Sequence, residues 1–135
     1  MRTAQCTCGD LRAETTAEPC HVIMCHCHEC QRRTGAPFGV SAYFEKDQVR
    51  TTGPATAYTR DSDSGREFAS FFCPRCGTSV YWFVAFDPDL IGVAVRCFTD
   101  PGFPEPQRSV FECRKHVWVH APAAATRFDT TSFKA

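Results

Sequence analysis

The sequence predicts a small, mostly β protein with antiparallel sheets and at most one short helix. Three observations predict it. Short segments rich in β-branched and aromatic residues recur between turn signals. A single stretch reads as helix, and it covers only a turn or two. Seven of the ten cysteines fall into three tight clusters: Cys6-x-Cys8, Cys25-x-Cys27-x-x-Cys30 and Cys73-x-x-Cys76.

The totals set the frame. A chain of 135 residues with 43% hydrophobic residues suffices for one domain, residues 1–135, with a modest core. Lys plus Arg and Asp plus Glu stand at 15 each, which gives no electrostatic reason to expect nucleic acid or an acidic membrane as partner. No apolar run has the length of a membrane span, and the first residues carry no apolar signal core. The expectation is a soluble cytoplasmic protein. Thiols persist in a reducing cytosol, where paired cysteines read as metal or redox sites rather than disulfides.

The elements follow in order. Leu11–Thr16 alternates and reads as a strand after the first cysteine pair, and Val22–Met24 is an apolar run leading into the second cluster. His28–Thr34 is the helical stretch, with Gly35 as its C-terminal cap. Gly39–Phe44, Ala55–Thr59, Glu67–Phe72, Ser79–Phe86, Leu90–Phe98 and Ser109–Val119 complete the β-rich set. Gly53-Pro54, the polar stretch Asp61–Gly65, Asp87-Pro88 and the proline-rich Pro101–Pro106 separate them. Trp82, Trp118 and the phenylalanines read as core and pocket wall.

Cys73-Pro-Arg-Cys76-Gly77 is the strongest local signal. Pro74 presets φ after the first thiol, and Gly77 permits the positive φ at which the chain turns its amides toward the sulfurs. A redox CxxC would open a helix, whereas Gly77-Thr78-Ser79-Val80 leads into a strand. In a straight strand the sulfurs of Cys6 and Cys8 stand too far apart for one ion, so the chain must curl there, aided by Gly9. Together the pairs offer four thiolates: a closed structural set for zinc, and a poor Lewis acid.

The middle cluster has three thiols in six residues. Its fourth ligand is open between water or a substrate thiolate, which makes the site catalytic, and His26, His28 or Cys20, which makes it structural. The two histidines lie between converging cysteines, so geometry tends to turn both away. Cys20, Cys97 and Cys113 have no partner at metal spacing, and Cys97 and Cys113 read as small buried apolar residues. No GxGxxG or GxxxxGK motif is present, which argues against nucleotide use.

Three strings carry a resemblance: Cys6-Thr-Cys8-Gly9, then Cys25-His-Cys27-His-Glu-Cys30-Gln31-Arg32-Arg33-Thr34-Gly35-Ala36-Pro37-Phe38, then Phe72-Cys73-Pro-Arg-Cys76-Gly77-Thr78. In this order they resemble the glutathione-dependent formaldehyde-activating enzyme family, which includes the centromere protein V domain. His116-Val117-Trp118-Val119 is similar to the family's closing strand. The resemblance covers about residues 3–122. It implies a β-tent fold, a structural zinc on Cys6, Cys8, Cys73 and Cys76, and a second, open zinc on Cys25, Cys27 and Cys30. It further implies a carbon–sulfur lyase activity joining glutathione to formaldehyde as S-hydroxymethylglutathione, so the implied partners are a small thiol and a small carbonyl.

Physically, a thiol at the open zinc position would lose its proton at neutral pH and attack an aldehyde held beside it. Gln31 or Arg32 could orient a carboxylate or oxyanion there. The other reading is a non-catalytic two-zinc module that binds another protein. The surroundings of the second metal discriminate between the two.

Overall fold

The computed structural model describes residues 1–62, 65–85 and 87–132. Phe86, the end of the expected Ser79–Phe86 strand, lies outside the described residues, as do Asp63 and Ser64 of the polar breaker. Three strands, β1 (Arg2–Gln5), β2 (Arg12–Thr15) and β5 (Val49–Thr52), form a small antiparallel sheet with β2 in the middle. The larger sheet contains β3 (His21–Cys25), β4 (Gly39–Glu45), β6 (Thr56–Asp61), β7 (Glu67–Phe72), β8 (Ser79–Val84), β9 (Leu90–Ala94), β10 (Arg108–Val110) and β11 (Thr126–Arg127). Its order is β11-β10-β3-β4-β9-β8-β7-β6. Every pairing is antiparallel except β10 with β3 and with β11. The helix α1 spans His28–Thr34 and ends on Gly35 in the left-handed region. No helix among the described residues is long and apolar enough to cross a membrane.

Alternation along the strands gives the large sheet two faces. Val22, Ala42, Phe44 and Val93 point one way, and Ala13 of the small sheet, with Leu11 just before β2, joins Ala42, Phe44 and Val93 in one buried cluster. The other face carries the row Tyr43, Gly92, Trp82, Ser70 and the parallel row Val84, Phe68, Arg60. Cys25 and Ile23 lie on this second face, paired with Gly39 and Ser41. The cross-strand register therefore sets Arg60 and Cys25 on one face from opposite parts of the sheet.

Gly92 is required by its neighbour. A β-carbon there would stand 2.1 Å from Nε1 of Trp82. The indole lies across the glycine, and Arg33 of α1 stacks on the indole, its guanidinium carbon 4.2 Å from the ring centroid. A bare backbone position in β9 thus makes room for an aromatic platform under α1.

Three expectations are corrected. Leu90–Phe98 does not continue as one strand: it leaves the sheet after Ala94, and Val95–Phe98 coils into a 3-10 turn ending on left-handed Thr99. The turn buries Phe98 against Phe103, with ring centroids 4.9 Å apart, and that packing outweighs strand propensity. Ser109–Val119 is strand only to Val110, because Phe111 adopts a φ of 54 and starts a 3-10 turn at Glu112–Arg114. His116–Val119 is accordingly a turn with no strand partner among the described residues, closed by Lys115 Nζ donating to the Val119 carbonyl at 3.0 Å. It leaves Trp118 63% exposed, not in the core.

Candidate metal centres

The first centre is built by two turns that face each other. After β1 the chain curls: the amide of Gly9 donates to the Cys6 carbonyl at 3.1 Å, and the amide of Leu11 to Cys6 Sγ at 3.2 Å. After β7 the second turn closes as the Gly77 amide donates to the Cys73 carbonyl at 2.8 Å, with Gly77 at a φ of 79. Thr7 and Thr78 stitch the turns together, hydroxyl to hydroxyl at 2.9 Å. Cys6, Cys8, Cys73 and Cys76 converge, all four sulfurs within 4.8 Å of one another. Cys8 and Cys73, 65 residues apart, have sulfurs 3.6 Å apart.

The crowding of four sulfurs at this centre calls for a cation. Cys76 is drawn down to about 5, first by the Thr78 hydroxyl and amide. Cys8 is pushed up to about 12: the Asp10 amide favours its thiolate, but burial and the three neighbouring sulfurs outweigh it. Four thiolates so close cannot all ionise without a counter-charge, and a central divalent ion removes that conflict. The all-sulfur donor set fits zinc.

The second centre lies at the start of α1. Cys25 ends β3, Cys27 is the N-cap whose sulfur accepts from the Cys30 amide at 3.3 Å, and Cys30 is buried in the first turn. Their three sulfurs also lie within 4.8 Å of one another. Cys25 is pushed up by hydrogen bonding with Cys27 and Cys30 and by burial, while Cys30 is drawn well down by Cys25 and Cys27 and then by Arg33. Nε and Nη1 of Arg33 are buried with no hydrogen-bond partner. A half-buried guanidinium with two unmet donors beside three thiols fits an anionic metal–thiolate group, so these residues too can hold a zinc ion.

No fourth protein ligand joins this group among the described residues. His26 is fully buried and turns away, its Nε2 2.8 Å from the Ser109 hydroxyl. Ser109 in turn donates to Glu112 Oε2 at 2.5 Å, and Arg127 pairs with the other oxygen at 2.6 Å. Burial holds His26 below its usual range. His28 faces Arg114, whose Nη1 lies 2.7 Å from Nδ1. Cys20 is exposed before the far end of β3, five residues and thus roughly 16 Å of extended chain from Cys25.

A cavity of about 90 Å³ lies against Cys25, Cys27 and Cys30. Ile23, Tyr43, Val84 and Val110 give it apolar walls, and Arg33 and Arg60 give it charge. Gln31 and Arg32 do not line it. Gln31 donates to the His26 carbonyl at 2.8 Å, bracing the cysteine loop, and Arg32 is exposed and paired with Glu29 at 2.7 Å. Cys97 is buried as expected, but Cys113 is exposed because the strand that would have buried it does not form. Sequence reasoning missed Arg33, Arg60 and the His26–Ser109–Glu112 chain. Arg33 could have been found from helical spacing: it is one turn after Cys30, whereas Arg32 is not. Nothing local marks the others, since Ser109 is 83 residues from His26.

Comparison with known proteins places the chain. A family model described as glutathione-dependent formaldehyde-activating enzyme matches residues 1–120. A solved structure of a Rhodobacter sphaeroides protein superposes with a TM-score of 0.56 at 20% identity, covering 76% of this chain and 90% of that one. It is similar in fold. No curated protein matches.

Proposed function

We propose, from the premise that this chain belongs to the glutathione-dependent formaldehyde-activating enzyme family, that it is a cytoplasmic zinc-dependent carbon–sulfur lyase acting on a small thiol adduct. One observation carries the reading: three cysteine sulfurs converge at the wall of a cavity, and among the described residues no histidine or further cysteine completes their set. A zinc ion held by Cys25, Cys27 and Cys30 would supply a vacant position for a thiol and lower that thiol's pKa. The chain's own residues do the rest. Ile23, Val84 and Val110 give the substrate an apolar wall, and Arg33 offsets the negative charge of the sulfurs.

In the synthetic direction the substrate sulfur attacks the carbonyl carbon, the carbon–sulfur bond forms, and the thiol proton ends on the carbonyl oxygen. The reverse breaks that bond and returns thiol and aldehyde. Cys6, Cys8, Cys73 and Cys76 would hold a structural zinc that joins the two turns.

The test is exchange spectroscopy on isotopically labelled formaldehyde with glutathione. The zinc-loaded parent should speed interconversion of free aldehyde and hydroxymethyl adduct, and Cys27→Ser should not. If the parent is no faster than buffer, and no thiol perturbs the metal, the protein is a binding module. The exposed Val117–Trp118 turn, 88% and 63% accessible, would then be its first candidate surface.

A further inference from the structure

We infer that the cavity beside Cys25, Cys27 and Cys30 takes a short-chain thiol carboxylate, with its carboxylate on Arg60, a choice of substrate class that rests on the lyase reading above. Size comes first. At about 90 Å³ the cavity is smaller than the roughly 150 Å³ that encloses benzene. It therefore takes only the thiol end and a short stem of a ligand, with the carboxylate at its mouth. That suits a thiol acid with two or three carbons between sulfur and carboxylate. A tripeptide such as glutathione would have to leave most of its length outside.

The walls are arranged for such a molecule. Its sulfur end belongs with the three cysteines. Its methylenes would lie along Ile23, Val84 and Val110. Arg60 lines the same cavity. The register row Val84, Phe68, Arg60 holds it there, and its guanidinium carbon sits 4.4 Å from the centroid of Phe68. Its side chain is only 14% exposed.

Charge favours an anion at that end. Arg60 Nε lies 3.7 Å from Glu29 Oε2, but Glu29 also holds Arg32 at 2.7 Å. The short contact of Glu29 goes to Arg32, so Arg60 keeps only a longer ion pair with it and donates Nη1 to the Asp61 carbonyl at 3.2 Å. Glu67, exposed, also lines the cavity, and Arg33 lies against Cys30. Arg60 is therefore the guanidinium of the lining with donors left to offer. A charged hydrogen bond of this kind in a half-enclosed site corresponds to about 10- to 100-fold in affinity.

The experiment uses cobalt-loaded protein and reads the thiolate-to-cobalt charge-transfer band. The titrants are 3-mercaptopropionate, its methyl ester and glutathione. The acid should bind at least 10-fold more tightly than the ester, and more tightly than glutathione. In Arg60→Gln the gap between acid and ester should close, and in Arg60→Lys part of it should return. Equal binding of acid and ester by the parent overturns the inference and leaves the lyase reading standing. So does tighter binding of glutathione, or an acid preference that survives in Arg60→Gln. If no thiol shifts the band of the parent, the lyase reading falls and the inference with it. Should the Arg60 variants fail to fold, the three titrations of the parent still decide.

Discussion

Arg33 and Trp82 form a stacked pair, guanidinium over indole at 4.2 Å, at the place where α1 crosses the large sheet. The pair joins the sheet to the cysteines, because the same guanidinium helps draw Cys30 toward its thiolate. Arg33→Met should therefore weaken metal retention at the three-cysteine centre by about 10- to 100-fold, the usual effect of losing an outer partner of a ligand. Chelator competition would measure it, with the four-cysteine centre as internal reference. Equal loss at both centres, or none, would contradict the assignment.

Gly92→Ala tests the platform beneath that pair. The new methyl would collide with the indole nitrogen of Trp82, a rigid group between two neighbours. Overpacking of this sort costs about 1–3 kcal/mol. Denaturant titration of metal-loaded protein should show it as a lower midpoint with an unchanged slope. A midpoint equal to the parent's would mean the indole moves aside freely.

Metal content and lability should separate the centres. Gently purified protein should carry two zinc ions, and mild chelation should remove that of Cys25, Cys27 and Cys30 first with little loss of fold. Cys73→Ser should unfold the domain, since its sulfur closes a loop of 65 residues with Cys8. Cys27→Ser should melt close to the parent. A Cys73→Ser protein as stable as the parent would remove the structural role of that centre.

Glu112 gives a pH-dependent prediction. Burial opposes its ionisation, but the Ser109 hydroxyl and Arg127 outweigh that and hold its carboxyl below the usual range. A carboxylate depressed on folding contributes stability above its unfolded pKa and loses it as pH falls through the folded value. Glu112→Gln should thus destabilise by about 1–3 kcal/mol at neutral pH. The gap from the parent should close as pH drops below the ordinary carboxylate range. A gap independent of pH down to that point would rule out the ionised Glu112 as its source.

Much of this was legible in the sequence, for local reasons. Cys25, Cys27 and Cys30 sit within one turn and its cap, so their spacing nearly dictates their convergence. The helix His28–Thr34 could be read from composition and from Gly35, and Glu67–Phe72 from its flanking breakers. What was illegible depended on distant partners. Leu90–Phe98 has strand propensity throughout, yet the burial of Phe98 by Phe103 bends its last residues out of the sheet. The β-rich string to Val119 had no neighbour to pair with. Arg60 could not be placed in the cavity without knowing that β6 pairs with β7 in a register opposing it to Phe68.

The two sulfur sets also differ in when they come into being. A chain is made from its N-terminus, so Cys25, Cys27 and Cys30 are all present long before Cys73 and Cys76 are added. Until then Cys6 and Cys8 are a half-set with no partner turn. The three-thiol loop is therefore complete while the chain is still unfinished, and the two turns that bring Cys8 to Cys73 can meet only once β7 has been made.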